Sequence, residues 1–133
     1  MSEDLYLMDT HALIFWHNKV TVSPEFLHFF DDQARQGNLF VSAISFWEMA
    51  LLVQKGRIAI NDVSIWKNNL LQHTGIRLIN VMADEMIAST LLPTYHNDPF
   101  DRVLIAQAQQ NNLILVTRDA AIQAYNVSRF WIN

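Results

Sequence analysis

Apolar residues along this chain fall in short blocks, and the blocks alternate between two spacings. "DLYLMDT" is a compact apolar run closed by an acid and a threonine, which predicts a buried strand ending at Asp9. Further strands are predicted at about 38 to 42 in "NLFVSAIS", in "IRLINV" and in "LILVT". Between them, apolar residues recur at helical spacing. "HALIFWHNK" reads as a short helix, and "SPEFLHFFDDQARQG" as one with Ser23 at N-cap, Pro24 at N1 and Gly37 as its stop. "SFWEMALLVQKGR" places Ser45 and Glu48 at capping-box spacing ahead of a helix ending at Gly56. "NDVSIWKNNLLQHTG" spaces Val63, Trp66 and Leu70 along one face and stops at Gly75. "ADEMIASTLL" is a short helix ended by Pro93, "DPFDRVLIAQAQQNN" a longer one with Pro99 at N1, and "DAAIQAYN" a last short one before "SRFWI".

Strands alternating with helices predict an α/β fold with a parallel sheet covered on both faces. "LYLM" and "LILV" are continuous apolar runs, as strands buried on both faces require. No repeat, low-complexity stretch or linker interrupts the pattern, so residues 1–133 are expected to form one domain.

Composition narrows the classes. At 51% hydrophobic and 17% charged, the chain has ample material for a packed interior and is unlike a disordered one. No apolar run reaches the roughly 18 residues of a membrane-spanning helix, and "MSEDLYLMDT" opens with acids where a secretion signal carries positive charge. With no cysteine, disulfides, thiolate metal sites and thiol nucleophiles are excluded. A cytoplasmic protein without a membrane contact is expected. The net charge of −4 argues against a broad basic surface for duplex DNA, but not against a small nuclease whose bound ions supply positive charge.

The acids then carry the chemistry. Asp9 ends the first strand and Asp119 lies just past "LILVT", so both belong at the carboxyl ends of strands, where open parallel sheets bind ligands. Glu48 is expected in the first turn of the helix after the second strand, and Asp98 and Asp101 at the start of the helix before "LILVT". Each has an ordinary role as well. Asp98 is a good N-cap with Pro99 at N1, Asp101 at N3 suits the helix dipole, Glu48 would pair with Ser45, and Asp9 and Asp119 could cap the helices after them. Taken together the balance changes, because the fold would gather several carboxylates at one edge. Two of them ~4 Å apart repel by about 4 kcal/mol at an effective dielectric near 20, so such a cluster takes up protons or binds a cation. Oxygen ligands without thiolates suit a hard ion, Mg2+ or Mn2+, which can activate water for phosphodiester displacement.

The order "LMDTHALIFW", "SAISFWEMA", "HNDPFDRVLIAQA" and "LVTRD" resembles the PIN-domain ribonucleases, especially the VapC-type toxins of bacterial toxin–antitoxin pairs, from about Leu5 to Trp131. "DPFDR" followed by "LIAQA" is the most specific of these phrases. The resemblance implies a three-layer α/β/α sandwich and a metal-dependent endoribonuclease that uses one or two Mg2+ or Mn2+ ions. Its metal-holding acids would be Asp9, Glu48, Asp101 and Asp119; Asp98 is left open between capping its helix, touching a metal through water, and both. It further implies a cognate antitoxin that covers the site, in a groove formed by helices near the N-terminal half, and a homodimer.

Thr10 and Thr117 are placed to hydrogen-bond the ligating carboxylates from behind, and Arg102, Arg118 and Lys55 to hold RNA phosphates, unless these cations only balance the acids. His11 stands beside the site with no role the pattern requires, and His96, two residues before Asp98, is the histidine closest to a supporting one. Most of the tryptophans and phenylalanines read as core, with a surplus that makes a protein partner plausible.

Rival readings meet specific obstacles. A haloacid-dehalogenase-type phosphatase needs an acid two residues after the strand-end aspartate, where this chain has His11, and a receiver domain needs a lysine that "LILVTRD" lacks. A non-catalytic PIN-like binding module would be favoured by loss of an acid, and none is lost. A nuclease of RNA processing, outside toxin–antitoxin systems, is not separated by sequence; a short neighbouring reading frame for a DNA-binding antitoxin would discriminate.

Overall fold

A computed structural model describes residues 3 to 133. Five parallel strands form one sheet in the order β3-β2-β1-β4-β5: β1 Tyr6–Met8, β2 Leu39–Ser42, β3 Arg77–Ile79, β4 Ile114–Val116 and β5 Arg129–Phe130. Six α-helices connect them: α1 Thr10–Asn18, α2 Pro24–Arg35, α3 Ala43–Gln54, α4 Val63–His73, α5 Ala83–Leu91 and α6 Pro99–Asn111, followed by a 3₁₀ turn at Ala120–Ala124. This is the three-layer α/β/α arrangement expected from the sequence. Among the described residues, no helix is long and apolar enough to cross a membrane.

Strand periodicity divides the interior into two layers, since successive side chains point to opposite faces. Tyr6, Met8, Leu39, Val41 and Val116 point into one core, with Leu13 and Trp16 of α1, Phe26 and Phe30 of α2, and Leu70 of α4. Leu7 and Leu115 point into the other, against Leu104, Ile105 and Ala108 of α6. Burial on both faces explains why these strands read as unbroken apolar runs.

β1 lies at the centre. From it the chain crosses to β2 and β3 on one side, and later returns to β4 and β5 on the other. The crevice this reversal opens lies at the carboxyl ends of β1 and β4, where parallel sheets bind their ligands.

Two local expectations change. The second strand runs straight into its helix, so Ser42, with extended backbone (φ −82°, ψ 141°), takes the N-cap and accepts from Ile44 N at 3.2 Å. Ser45 and Glu48 therefore lie inside α3 and form no capping box; Glu48 stands in the second turn rather than the first. The "SRFWI" segment contributes the edge strand β5, too short to leave a periodic signal.

Candidate functional site

Asp9 follows β1 directly and caps α1, its Oδ1 accepting from Ala12 N at 2.8 Å. Asp98 caps α6 through Phe100 N at 2.9 Å, and Asp119 caps the 3₁₀ turn through Ala121 N at 2.9 Å. In all three the capping atom is Oδ1, which fixes the carboxylate and keeps its second oxygen out of the cap. Asp101, in the first turn of α6, and Glu48, from α3, complete the group. All five line one cleft of about 480 Å³, together with His11 and His96.

Electrostatics in the cleft are strained. Burial pushes the Asp9 carboxyl up, against the Thr117 hydroxyl and Ala12 N–H that pull it down. Burial likewise raises Glu48, with Asp98 and Asp9 adding to the effect. Asp101 is pushed up to about 7, first by burial and then by Asp98, despite a hydrogen bond with His96. Glu48 is only 7% exposed, and its Oε1 has no hydrogen-bond partner. A buried, unpartnered carboxylate oxygen is costly unless a cation or proton meets it.

The imidazole of His96 lies between two of the acids, its Nε2 2.8 Å from Asp101 Oδ2 and 3.3 Å from Asp119 Oδ2. The supporting threonines are both buried. Thr117 Oγ1 accepts from Asp119 N at 3.1 Å and lies close enough to favour the ionised Asp9 carboxylate. The Thr10 hydroxyl is drawn two ways: its hydrogen bond runs to Ser45 Oγ at 3.0 Å, yet it is also close enough to favour the Glu48 carboxylate.

The expected cations separate. Arg118 lies on the cleft wall, exposed, its guanidinium 5.1 Å from the Phe15 ring centre and 5.4 Å from that of Trp131. Arg102 does not line the cleft. Its terminal nitrogens bind the carbonyls of Ser89, Leu92, Pro93 and His96, at 2.9 to 3.1 Å. The phosphate contact expected of Arg102 thus gives way to a structural one, because four backbone carbonyls from the end of α5 and the loop after it already surround its fork. Lys55 is exposed at the C-terminal end of α3, outside the cleft lining.

Sequence reasoning missed Tyr125. Its Oη donates to Pro93 O at 2.6 Å and accepts from His96 N at 2.9 Å, so it fixes the backbone that carries the imidazole. Its partners are main-chain groups, which leave no mark in a sequence. A larger cleft, of about 580 Å³ between α1 and α4, contains a single acid, Asp62, which caps α4 through Ile65 N.

Fold and site together define an α/β/α protein with an acidic cleft at the carboxyl edge of its sheet. The chain belongs to the PIN domain family, whose model matches residues 6–127. Ribonuclease VapC22 of Mycobacterium tuberculosis (strain ATCC 25618 / H37Rv) is 28% identical over 127 residues, covering 92% of this chain and 93% of that protein. Among solved structures, VapBC2 from Rickettsia felis bound to a promoter DNA fragment has a chain that superposes with TM-score 0.71 at 16% identity, over 96% of this chain and 98% of its own. A toxin–antitoxin complex from Klebsiella pneumoniae has one with TM-score 0.59 at 20% identity, over 91% and 92%. At these identities the structural likenesses speak for the fold.

Proposed function

We propose that the chain is a metal-dependent endoribonuclease and the toxin of a toxin–antitoxin pair, acting in the cytoplasm. The observation that carries the reading is the convergence of Asp9, Glu48, Asp98, Asp101 and Asp119 on one cleft, with a buried Glu48 oxygen that no protein group meets. The likeness to a curated ribonuclease over 92% of the chain supports the substrate class.

The donor set fits a divalent ion of the Mg2+ or Mn2+ kind, held by Asp9, Glu48, Asp101 and Asp119, with Asp98 beside them. When bound, such an ion supplies Lewis acidity and lowers the pKa of a water, the nucleophile for phosphodiester hydrolysis. The chain's own groups set the stage. Helix-start N–H groups hold Asp9, Asp98 and Asp119 by one oxygen each, and Thr117 fixes the start of the Asp119 turn by accepting from Asp119 N. Arg118, stacked between Phe15 and Trp131, presents its fork to a phosphate at the rim.

Partners follow from the same reading. We assign the α1–α4 cleft, with Ile65 and Trp66 on its wall, to the antitoxin, and the exposed apolar face of α5, with Met86, Ile87 and Leu91, to a homodimer contact.

Cleavage of total RNA by the purified chain tests the function, with Mg2+ or Mn2+ and with chelator, beside an Asp9→Asn variant. The proposal expects cleavage that both chelator and the substitution abolish. A folded, inhibitor-free wild type that cuts nothing with either ion would overturn it.

A further inference from the structure

His96 stands in the acidic cleft with one ring nitrogen between two carboxylates. Its Nε2 lies 2.8 Å from Asp101 Oδ2 and 3.3 Å from Asp119 Oδ2. One ring nitrogen carries at most one proton, so it cannot donate fully to two carboxylates at once. One ligand atom each from His96, Asp98 and Asp101 lie within 4.8 Å of one another, close to the span of a single coordination sphere, where opposite ligands at roughly 2.1 Å from an ion lie about 4.2 Å apart. A second observation points to the same place: Glu48, whose buried Oε1 has no hydrogen-bond partner, is a residue of this cleft's lining.

The ring is also positioned in advance. Tyr125 Oη accepts from His96 N, Arg102 donates to His96 O at 3.1 Å, and the same two residues hold Pro93 O. Such backbone clamping lowers the entropy lost when a side chain joins a ligand set.

We infer that the His96 imidazole is a direct ligand of the ion that the acidic cleft binds, and that this nitrogen makes the site prefer first-row transition ions, Mn2+ among them, over Mg2+. The inference rests on the metal-site reading above. Its chemical basis is the difference between the ions. Mg2+ favours oxygen and gives up its waters reluctantly, whereas first-row ions accept imidazole readily. A cleft of carboxylates alone discriminates weakly between Mg2+ and Mn2+, and one nitrogen shifts the balance.

Nitrogen coordination has a signature independent of RNA cleavage. Metal-stripped chain is loaded with one equivalent of Mn2+ and examined by spin-echo electron paramagnetic resonance for ¹⁴N modulation; wild type, His96→Gln and His11→Gln are compared. The expected result is modulation in wild type and in His11→Gln, and its loss in His96→Gln. Competition titrations should show the Mn2+ over Mg2+ affinity ratio falling on the order of tenfold in His96→Gln. Glutamine keeps a hydrogen-bond donor towards Asp101, so a purely orienting histidine would leave both readouts unchanged. Bound Mn2+ without ¹⁴N modulation in wild type, or modulation that survives in His96→Gln, would overturn the inference alone. Absence of any Mn2+ binding would overturn it together with the metal-site reading.

Discussion

A carboxylate has two oxygens, and Asp9, Asp98 and Asp119 each give one to a helix start. Capping and ligation, which compete when the sequence is read residue by residue, are compatible in the folded chain: the cap fixes the group and the other oxygen is available to the cleft. The positions of these acids at strand ends and helix starts were legible because turn chemistry and βα topology are local. The imidazole between Asp101 and Asp119 was not, since the 92–98 loop carries no periodicity to place it. Asp101 has a measurable consequence. Its carboxyl ionises near 3.8 ordinarily and about 7 in the fold, so between those values the folded chain holds a proton that the unfolded chain has released. Stability of metal-free protein therefore falls as pH rises through that window and is lowest above it. Thermal melts in chelator should show a lower Tm at pH 8 than at pH 5, by on the order of 5 °C. Asp101→Asn should flatten the difference, and Mn2+ should restore the wild type at pH 8.

Among elements, contacts to main-chain atoms decide what side-chain patterns cannot reveal. Spacing to Glu48 favours Ser45 as the cap, but the direct passage from β2 into α3 makes it Ser42. That moves Glu48 from the first turn of its helix to the second, where it lines the cleft. Arg102 and Tyr125 tie the end of α5 and the loop after it to α6 and the 3₁₀ turn, entirely through carbonyls and one N–H. Tyr125→Phe leaves Pro93 O and His96 N without that partner and should cost about 1 to 3 kcal/mol in denaturant unfolding, with an unchanged m-value. A backbone approach of another kind occurs after α4. Gly75, at φ +86°, passes so close to α2 that an added Cβ would stand 2.6 Å from Ala34 O. Gly56, at φ +69°, has nothing within 4 Å. Gly56→Ala should cost about 1 kcal/mol from the left-handed backbone, and Gly75→Ala a further ~1 to 3 kcal/mol from overpacking, read from paired melts.

For the whole molecule, apolar runs at two spacings were enough to give a parallel sheet with helices on both faces, because burial on each side of β1, β2 and β4 demands them. The strand order was not readable, since it depends on which side of β1 each crossover takes. That order matters: placing β4 beside β1 brings Asp119 to Asp9, and the packing of α6 on the sheet adds Asp98 and Asp101. A net charge of −4 bears on the RNA binding proposed above. With Arg118 the cation at the rim, few phosphates are neutralised, so single-stranded RNA binding by the Asp9→Asn variant should weaken with log salt at a slope of about −1 to −2. Arg118→Ala should reduce that slope by roughly 0.7, as filter binding across a salt series would show.

The central claim is that acids from four separate stretches of the chain make one ion-binding centre, and anomalous scattering from Mn2+-soaked crystals tests it most directly. The account predicts an anomalous peak inside the cleft, within coordination distance of Asp9, Glu48 and Asp101, and its loss in Asp101→Asn crystals. A saturating soak that left the cleft without a peak, or put the ion elsewhere on the chain, would contradict it.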